Sequence, residues 1–404
     1  MKARSNWIVW TMKARSNWIV YGERNTSFFH LTTLVRRSYN RISCIENSNG
    51  VLIHDMEEIH SLFLDGFKNL YQTEMVSSRL SSLVDLEWRV KLAQVDAEAL
   101  SLPPSDLEIT NALFAMKPFK APGPDGIHAD FYQRFWGNVG ASVKHEIKQI
   151  FQNRKVPHYL NQTLVALIPK QDGSTSIGHF RPISLCNSVY KILSKILVQR
   201  LRHLFPTLVS PLQTTFVVGR RSSDNVIIAQ ELIHSLKRRK GREGFMVIKI
   251  DLEKAYDRLE WSFVRLVLDH FGFLKNISEL ILSCISTTST SILFNGSKLE
   301  AFFPSRGIRQ GEPLSPYIFL LCMEYLSSLI SKSCESRDWT AMKASQSGPG
   351  FSHIFFVDDL LLFAKANAKN CEAILEILDH FCVISGQKVS NSKSRVVFSP
   401  NVDD

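Results

Sequence analysis

Short apolar runs closed by acidic or basic residues mark the chain from residue 163 onward. Residues 354–357 read as one buried strand and residues 360–363 as a second, with the Asp358-Asp359 dipeptide between them as a hairpin turn. Residues 245–250 form a third apolar run, which ends at Asp251, and residues 163–169 a fourth, which ends at Lys170. The period changes over residues 189–204. There Val189, Ile192, Leu193, Ile196, Leu197, Leu201 and Leu204 recur at helical spacing, with Lys191, Lys195, Arg200 and Arg202 between them. Residues 252–270 also show helix-like spacing. Residues 337–350 are polar, end in Ser-Gly-Pro-Gly and read as a loop before the hairpin.

The first part of the chain is patterned differently. Residues 21–100 read as a separate, mostly helical region with a strand pair around Asn49-Gly50. Leu102-Pro103-Pro104-Ser105 then breaks the chain, and Ser105 with Glu108 spells a capping box. This places a boundary near residue 101, with a helical extension over 1–100 and the main unit over 101–404. Pro118, Pro122, Gly123, Pro124, Asp125 and Gly126 make a rigid loop bounded by Lys117 and Lys120. Lys237-Arg238-Arg239-Lys240 with Arg242 reads as a basic loop. That loop, like Arg36-Arg37 and Arg41, is either solvated charge or a phosphate contact. The nine residues from Met1 recur from Met12, which reads as a local duplication or a gene-model artefact and is assigned no function.

Composition narrows the class. With 45% apolar and 21% charged residues, the 404-residue chain builds a real core and is not disordered. A formal net charge of +10 and a pI near 9.2 favour a polyanionic partner such as nucleic acid. The seven cysteines are scattered without a Cys-x-x-Cys pair, which fits reduced thiols and gives no zinc site. Glu324 ends the apolar run that begins at Tyr317, so that run is too short to span a bilayer, and no secretory signal is visible.

The candidate chemistry lies in three carboxylates. An Asp-Asp turn is by itself common, because Asp tolerates turn geometry. Together with Asp251 at another strand end, Asp358 and Asp359 can hold two Mg²⁺ ions if the strands are sheet neighbours, since magnesium prefers oxygen ligands. Such a pair serves in-line nucleotidyl transfer, in which a primer 3′-hydroxyl attacks the α-phosphate of a nucleotide and pyrophosphate leaves. Tyr256 offers a flat ring under the incoming sugar, or a packed core aromatic. Lys170 and Arg181, each read as following a strand, suit a triphosphate. The Gly- and Pro-rich segment from Gly307 to Pro316 lets backbone approach a nucleotide or template closely.

In order, these motifs resemble the reverse transcriptase region of LINE-type (non-LTR) retrotransposons, especially those of plants. Glu23-Arg-Asn-Thr-Ser-Phe-Phe-His30 resembles the segment upstream of the polymerase, and Lys120-Ala-Pro-Gly-Pro-Asp-Gly126 the opening of the fingers. Phe180-Arg-Pro-Ile-Ser-Leu185 with Tyr190-Lys191 follows. Next come Gln213-Thr-Thr-Phe216, Gly219-Arg220 and Asp224-Asn225. The first metal motif is Asp251-Leu-Glu-Lys-Ala-Tyr-Asp257, and the second is Phe356-Val-Asp-Asp359. Gly307 to Pro316 lies between them, and Ser385-Gly-Gln-Lys388 with Lys393-Ser394 closes the palm.

The resemblance implies an α+β right-hand polymerase of fingers and palm, with core motifs over 163–404 and an antiparallel palm sheet backed by helices. It implies Asp251, Asp358, Asp359 and the Leu252 carbonyl as ligands of two Mg²⁺ ions, or Mn²⁺ in their place. Tyr256 is implied as sugar gate, and Gln310 and Gly311 as neighbours of the nucleotide and template. Lys170 and Arg181 are implied as triphosphate contacts and Lys393 as the acid for departing pyrophosphate. The partners implied are an RNA template, a DNA primer and deoxynucleoside triphosphates, with no membrane, inside the cell and at chromosomal DNA in the nucleus. Two positions depart from the usual pattern: Glu312 where Asp is usual and Val357 where Ala is usual. No nuclease fits into residues 1–100 and the thumb is expected to be largely absent, so the chain reads as truncated at both ends. The competing expectations are a decayed remnant that only binds nucleic acid and, against Tyr256, an RNA-copying RNA polymerase or a splicing maturase.

Overall fold

The computed structural model describes residues 27–47, 49–74, 90–171, 173–345 and 347–402. The N-terminal duplication and residues 23–26 of the upstream motif lie outside them.

The strand pair expected around Asn49-Gly50 is present as β1 (Ile45–Glu46) and β2 (Leu52–Ile53). A helix, Met56–Leu70, follows. It is capped by Asp55, whose carboxylate accepts from the Glu58 amide at 2.9 Å. Its buried stripe Ile59, Phe63, Phe67 recurs every fourth residue. The stripe packs on Val165 and Leu167 of β3 (Gln162–Pro169), Phe180 of β4 (Phe180–Cys186) and strand residues Ile292 and Phe294. The N-terminal extension therefore shares a core with the sheet it precedes. Ser105 caps the Asp106–Phe114 helix as expected, accepting from the Glu108 amide at 3.2 Å. The other half of the capping box is diverted, because the Glu108 carboxylate takes a two-pronged contact from Arg200 at 2.6 and 2.8 Å.

Two four-stranded sheets frame the molecule. After β5 (Phe245–Asp251) come β6 (Ser289–Phe294) and β7 (Ser297–Lys298). The first sheet has the order β4-β3-β6-β7, with β3 and β6 parallel and the other pairs antiparallel. Residues 337–350 are not simply a loop. They contain β8 (Met342–Lys343), which pairs with β9 (Gly350–Phe351). The second sheet adds β10 (His353–Phe356), β11 (Asp359–Lys365) and β12 (Arg395–Phe398) in the order β10-β11-β5-β12, antiparallel throughout.

The second sheet is the palm expected from sequence, and strand alternation explains its two faces. Met246, Ile250, Leu360 and Leu362 point into the main core, against the helices Trp261–His270, Ser315–Glu335 and Ala368–Ser385. Phe245, Val247 and Phe363 point the other way, under the helix Ser222–Lys237. Asp251, Lys249 and Asp359 continue that second face past the cover of Ser222–Lys237. The helix-like pattern over 252–270 resolves into two helices, Ala255–Arg258 and Trp261–His270. They are separated at Leu259, whose backbone is extended, and at Glu260, whose amide donates to the Ser385 carbonyl at 3.0 Å. Among the described residues no helix is long and apolar enough to cross a membrane.

Candidate active site

Register brings the acids together. Asp359 is the direct cross-strand partner of Asp251. Opposed residues of an antiparallel pair share a face, with Cβ atoms about 5 Å apart. The hairpin corrects one expectation: its two-residue loop is Val357-Asp358, because Phe356 pairs with Asp359, and Asp359 is the first residue of β11. Val357 takes φ +61°, a strained value for a β-branched residue at the first loop position. The turn then presents Asp358 at the end of the sheet.

The Leu252 carbonyl follows from the same ladder. The Ser390 amide donates to the Asp251 carbonyl at 2.8 Å, so the peptide groups of Asp251 face the 386–394 segment. Peptide direction alternates along a strand, which turns the Leu252 carbonyl toward the β10–β11 hairpin. The closing Ser385-Gly-Gln-Lys motif buttresses this turn. The Gln387 amide side chain donates to the Ala255 carbonyl at 2.8 Å, and a Cβ on Gly386 would lie 2.6 Å from the Arg258 carbonyl.

All ten residues expected at the site line one cleft of about 1170 Å³: Lys170, Arg181, Asp251, Leu252, Tyr256, Gln310, Gly311, Asp358, Asp359 and Lys393. Arg181 lies within β4, opposite Ile168, and does not follow a strand as expected. Lys170 follows β3 and donates to the Gly178 carbonyl at 2.8 Å. Burial lowers the Lys170 pKa, and the positive charges of Lys254, Lys393 and Arg181 lower it further. These cations, drawn from both sides of the cleft, repel one another, and an anion between them would relieve that repulsion. Tyr256 stacks on Phe319 with centroids 4.8 Å apart, and burial pushes its phenol up.

The Gly307–Pro316 segment is fixed by its own buried polar groups. Glu312, buried, accepts from Tyr190 and Ser194 hydroxyls at 3.1 and 2.6 Å and from the Ser315 amide and hydroxyl at 3.0 and 2.6 Å. The Gln310 carbonyl accepts from the Ser184 amide of β4 at 2.8 Å. Gly311 follows at φ +94°, where a side chain is disfavoured. Two other quoted motifs are scaffolding. Arg220 donates to the Gln213 and Val209 carbonyls at 2.8 and 2.7 Å, and Lys191 to the Ala121 carbonyl at 3.0 Å.

The acids are balanced by lysines. Lys249 stands 3.2 Å from Asp359 and Lys393 stands 3.7 Å from Asp251. Burial raises the Asp358 pKa, as do the negative charges of Asp359 and Asp251. Three carboxylates and a carbonyl are a hard-oxygen set, which suits a divalent cation of the magnesium type. Among the described residues, no three acidic, His or Cys side chains stand close enough to hold an ion as they are oriented. Asp251 and Asp359 would have to turn from their lysines to do so. Sequence reasoning missed Lys249 and Asp257. Lys249 was findable, since two residues before Asp251 on a strand is the same face. Asp257 was quoted only as the end of a motif. It is buried, accepts from the Tyr71 hydroxyl at 2.8 Å and from Gln310 Nε2 at 3.2 Å, and its pKa is raised by burial to about 6.

Comparison with known proteins bears on this cleft. Over 372 residues the chain is 24% identical to the transposon TX1 uncharacterized 149 kDa protein of Xenopus laevis, covering 92% of this chain and 28% of that protein. Over 274 residues it is 26% identical to the retrovirus-related Pol polyprotein of the type-2 retrotransposable element R2DM of Drosophila melanogaster, covering 68% of this chain and 24% of that protein. The chain thus spans about a quarter of the length of these relatives. The structure of apo telomerase from Candida tropicalis, truncated from its C-terminal domain, superposes with a TM-score of 0.44 at 13% identity, over 69% of this chain and 57% of that one. The model of the reverse transcriptase (RNA-dependent DNA polymerase) family matches residues 168–402, more than half of the sequence and all ten of the expected site residues. The chain belongs to the reverse transcriptase family, whose members generally use divalent metals.

Proposed function

We propose that this chain is the RNA-directed DNA polymerase part of a non-LTR retrotransposon, of the LINE type found in plants. It would add deoxynucleotides to the 3′-hydroxyl of a DNA primer on an RNA template, at chromosomal DNA in the nucleus. The observation that carries this reading is the opposition of Asp251 and Asp359 across β5 and β11, with Asp358 in the adjoining turn and cations on the facing wall. Two Mg²⁺ ions, or Mn²⁺, held by Asp251, Asp358, Asp359 and the Leu252 carbonyl would activate the attacking hydroxyl and offset charge on the leaving pyrophosphate. The protein's part is positioning. Lys170 and Arg181 hold the triphosphate by charge-assisted hydrogen bonds. Tyr256, rigid on Phe319, sits under the sugar and excludes a 2′-hydroxyl. Gln310 and Gly311 border the nucleotide and template, and Lys393 gives a proton to pyrophosphate. In this reading residues 1–100 are an extension and residues 101–404 the fingers and palm.

Primer extension on an RNA template with Mg²⁺ tests the proposal, with wild-type protein expected to add deoxynucleotides and to discriminate against ribonucleotides. A second reading, a nucleic-acid-binding remnant without catalysis, draws on the lysines that already pair Asp251 and Asp359. Salt-dependent RNA binding without extension under Mg²⁺ or Mn²⁺ would select it.

A further inference from the structure

Gln310 is held in the cleft from an unexpected direction. Its Nε2 donates to one oxygen of Asp257 at 3.2 Å, and the other oxygen accepts from the Tyr71 hydroxyl at 2.8 Å. Tyr71 closes the Met56–Leu70 helix, in the N-terminal extension, and its carbonyl accepts from the Ser305 and Arg306 amides at 2.9 and 3.1 Å. Arg306, itself buried, donates to the Leu70 carbonyl at 2.9 Å and to Glu74 at 2.9 Å. Thr73 donates to Glu260 at 2.8 Å. Residues 70–74 thus form a strap that crosses the base of the Gly307–Pro316 segment. The fit is close, since a Cβ on Gly307 would lie 2.6 Å from the Asp257 carbonyl and 3.0 Å from the Tyr71 ring.

We propose that Tyr71 and Asp257 are a positioning pair that orients the Gln310 side chain toward the nucleotide, so that the N-terminal strap is part of nucleotide selection. This rests on the nucleotide site proposed above. An ionised carboxylate only accepts hydrogen bonds, so it can take both donors at once. The tyrosine occupies one oxygen and leaves the other for Gln310. The Gln310 amide is then fixed in rotation, with its own carbonyl oxygen turned away from Asp257. Neither Tyr71 nor Asp257 has to touch the nucleotide.

Charge sets when the pair operates. The groups that face Asp257 are Tyr71 on the strap, Lys254 on its own turn, Lys170 at the end of β3, and Gln310. Burial raises its pKa to about 6, outweighing the lowering by those four. Protonation below that pH turns one oxygen into a donor and removes an acceptor from Tyr71 or Gln310. Nucleotide selection therefore weakens as pH falls through about 6. The stability term has the opposite sign: a carboxyl whose pKa is raised on folding favours the fold when protonated, at the lower pH.

The test uses the full chain with Tyr71→Phe and Asp257→Asn, both near-isosteric, with thermal melts to verify folding. The KM for deoxynucleotide in primer extension is expected to rise roughly tenfold in each, with kcat within about twofold of wild type. Asp257→Asn is expected to flatten the change in KM around pH 6, and Tyr71→Phe to keep it. Equilibrium binding of dATP with Mg²⁺ is read in parallel. Isothermal titration calorimetry reads that binding. Extension by wild type with unchanged KM and unchanged pH dependence in both variants overturns the pair and leaves the polymerase reading standing. Absence of extension, with dATP binding that weakens roughly tenfold in both variants, supports the pair and defeats the polymerase reading. Absence of both extension and dATP binding by the wild type overturns both.

Discussion

The β10-β11-β5-β12 sheet carries its acids within the ladder, whereas the β4-β3-β6-β7 sheet receives much of its support from elsewhere in the chain. Asp251 and Asp359 meet because one register places them opposite each other, and Asp358 follows in a two-residue turn. The facing wall has no comparable shortcut. Lys170 lies beyond the end of β3, Arg181 lies within β4, and Gln310 is tied to β4 by one backbone hydrogen bond and to Asp257 by its side chain. Tyr71, 186 residues from Asp257 in sequence, completes that wall. Opposed like charges destabilise a sheet, so the acid wall gives up stability to gather charge, while the other wall is held by buried hydrogen bonds. Losses on the first should appear as chemistry and on the second as binding or folding.

The largest effect is expected at the acids. Asp358→Asn should lower primer extension at least about a thousandfold. Its melting temperature should hold or rise, because one of three neighbouring negative charges is gone. Glu312→Gln should invert that pattern. Four donors converge on Glu312, and an amide nitrogen placed among them leaves buried groups unpaired. A loss of roughly 2–3 kcal/mol in urea unfolding is expected, with activity per folded molecule largely kept. Lys170→Ala should raise the KM for deoxynucleotide about fivefold with a smaller change in kcat, measured by steady-state extension. The smallest effect is expected from Lys249→Gln. Freed from its lysine, Asp359 should reach half-maximal activity at roughly two- to threefold less Mg²⁺.

The same contrast explains what the sequence disclosed. Three of the four palm strands, β5, β10 and β11, were legible as apolar runs bordered by acidic residues, and their roles followed from the order of motifs; β12, a four-residue run that opens on Arg395, was not read. The hairpin tip was off by one residue, since period-two patterning does not distinguish Asp358 in the turn from Asp359 on the strand. The break at Leu259 and Glu260 was hidden for a related reason. Helix-like spacing continues on both sides of it, and the contact of the Glu260 amide with Ser385 comes from a distant segment. Asp257 read as the tail of a motif because its partners, Tyr71 and Gln310, lie 186 and 53 residues away. Phe63 and Phe67 lie in a region read only as mostly helical, and no local signal named the sheet they cover.

The central claim is that two carboxylates on neighbouring strands and a third in the adjoining turn share divalent cations. Mn²⁺ titration followed by electron paramagnetic resonance tests it most directly, on the full chain with primer, RNA template and a non-extendable nucleotide. Wild-type protein is expected to immobilise a pair of ions per complex, and Asp251→Asn and Asp358→Asn each to lose them. Equal Mn²⁺ binding by wild type and both variants would contradict the claim.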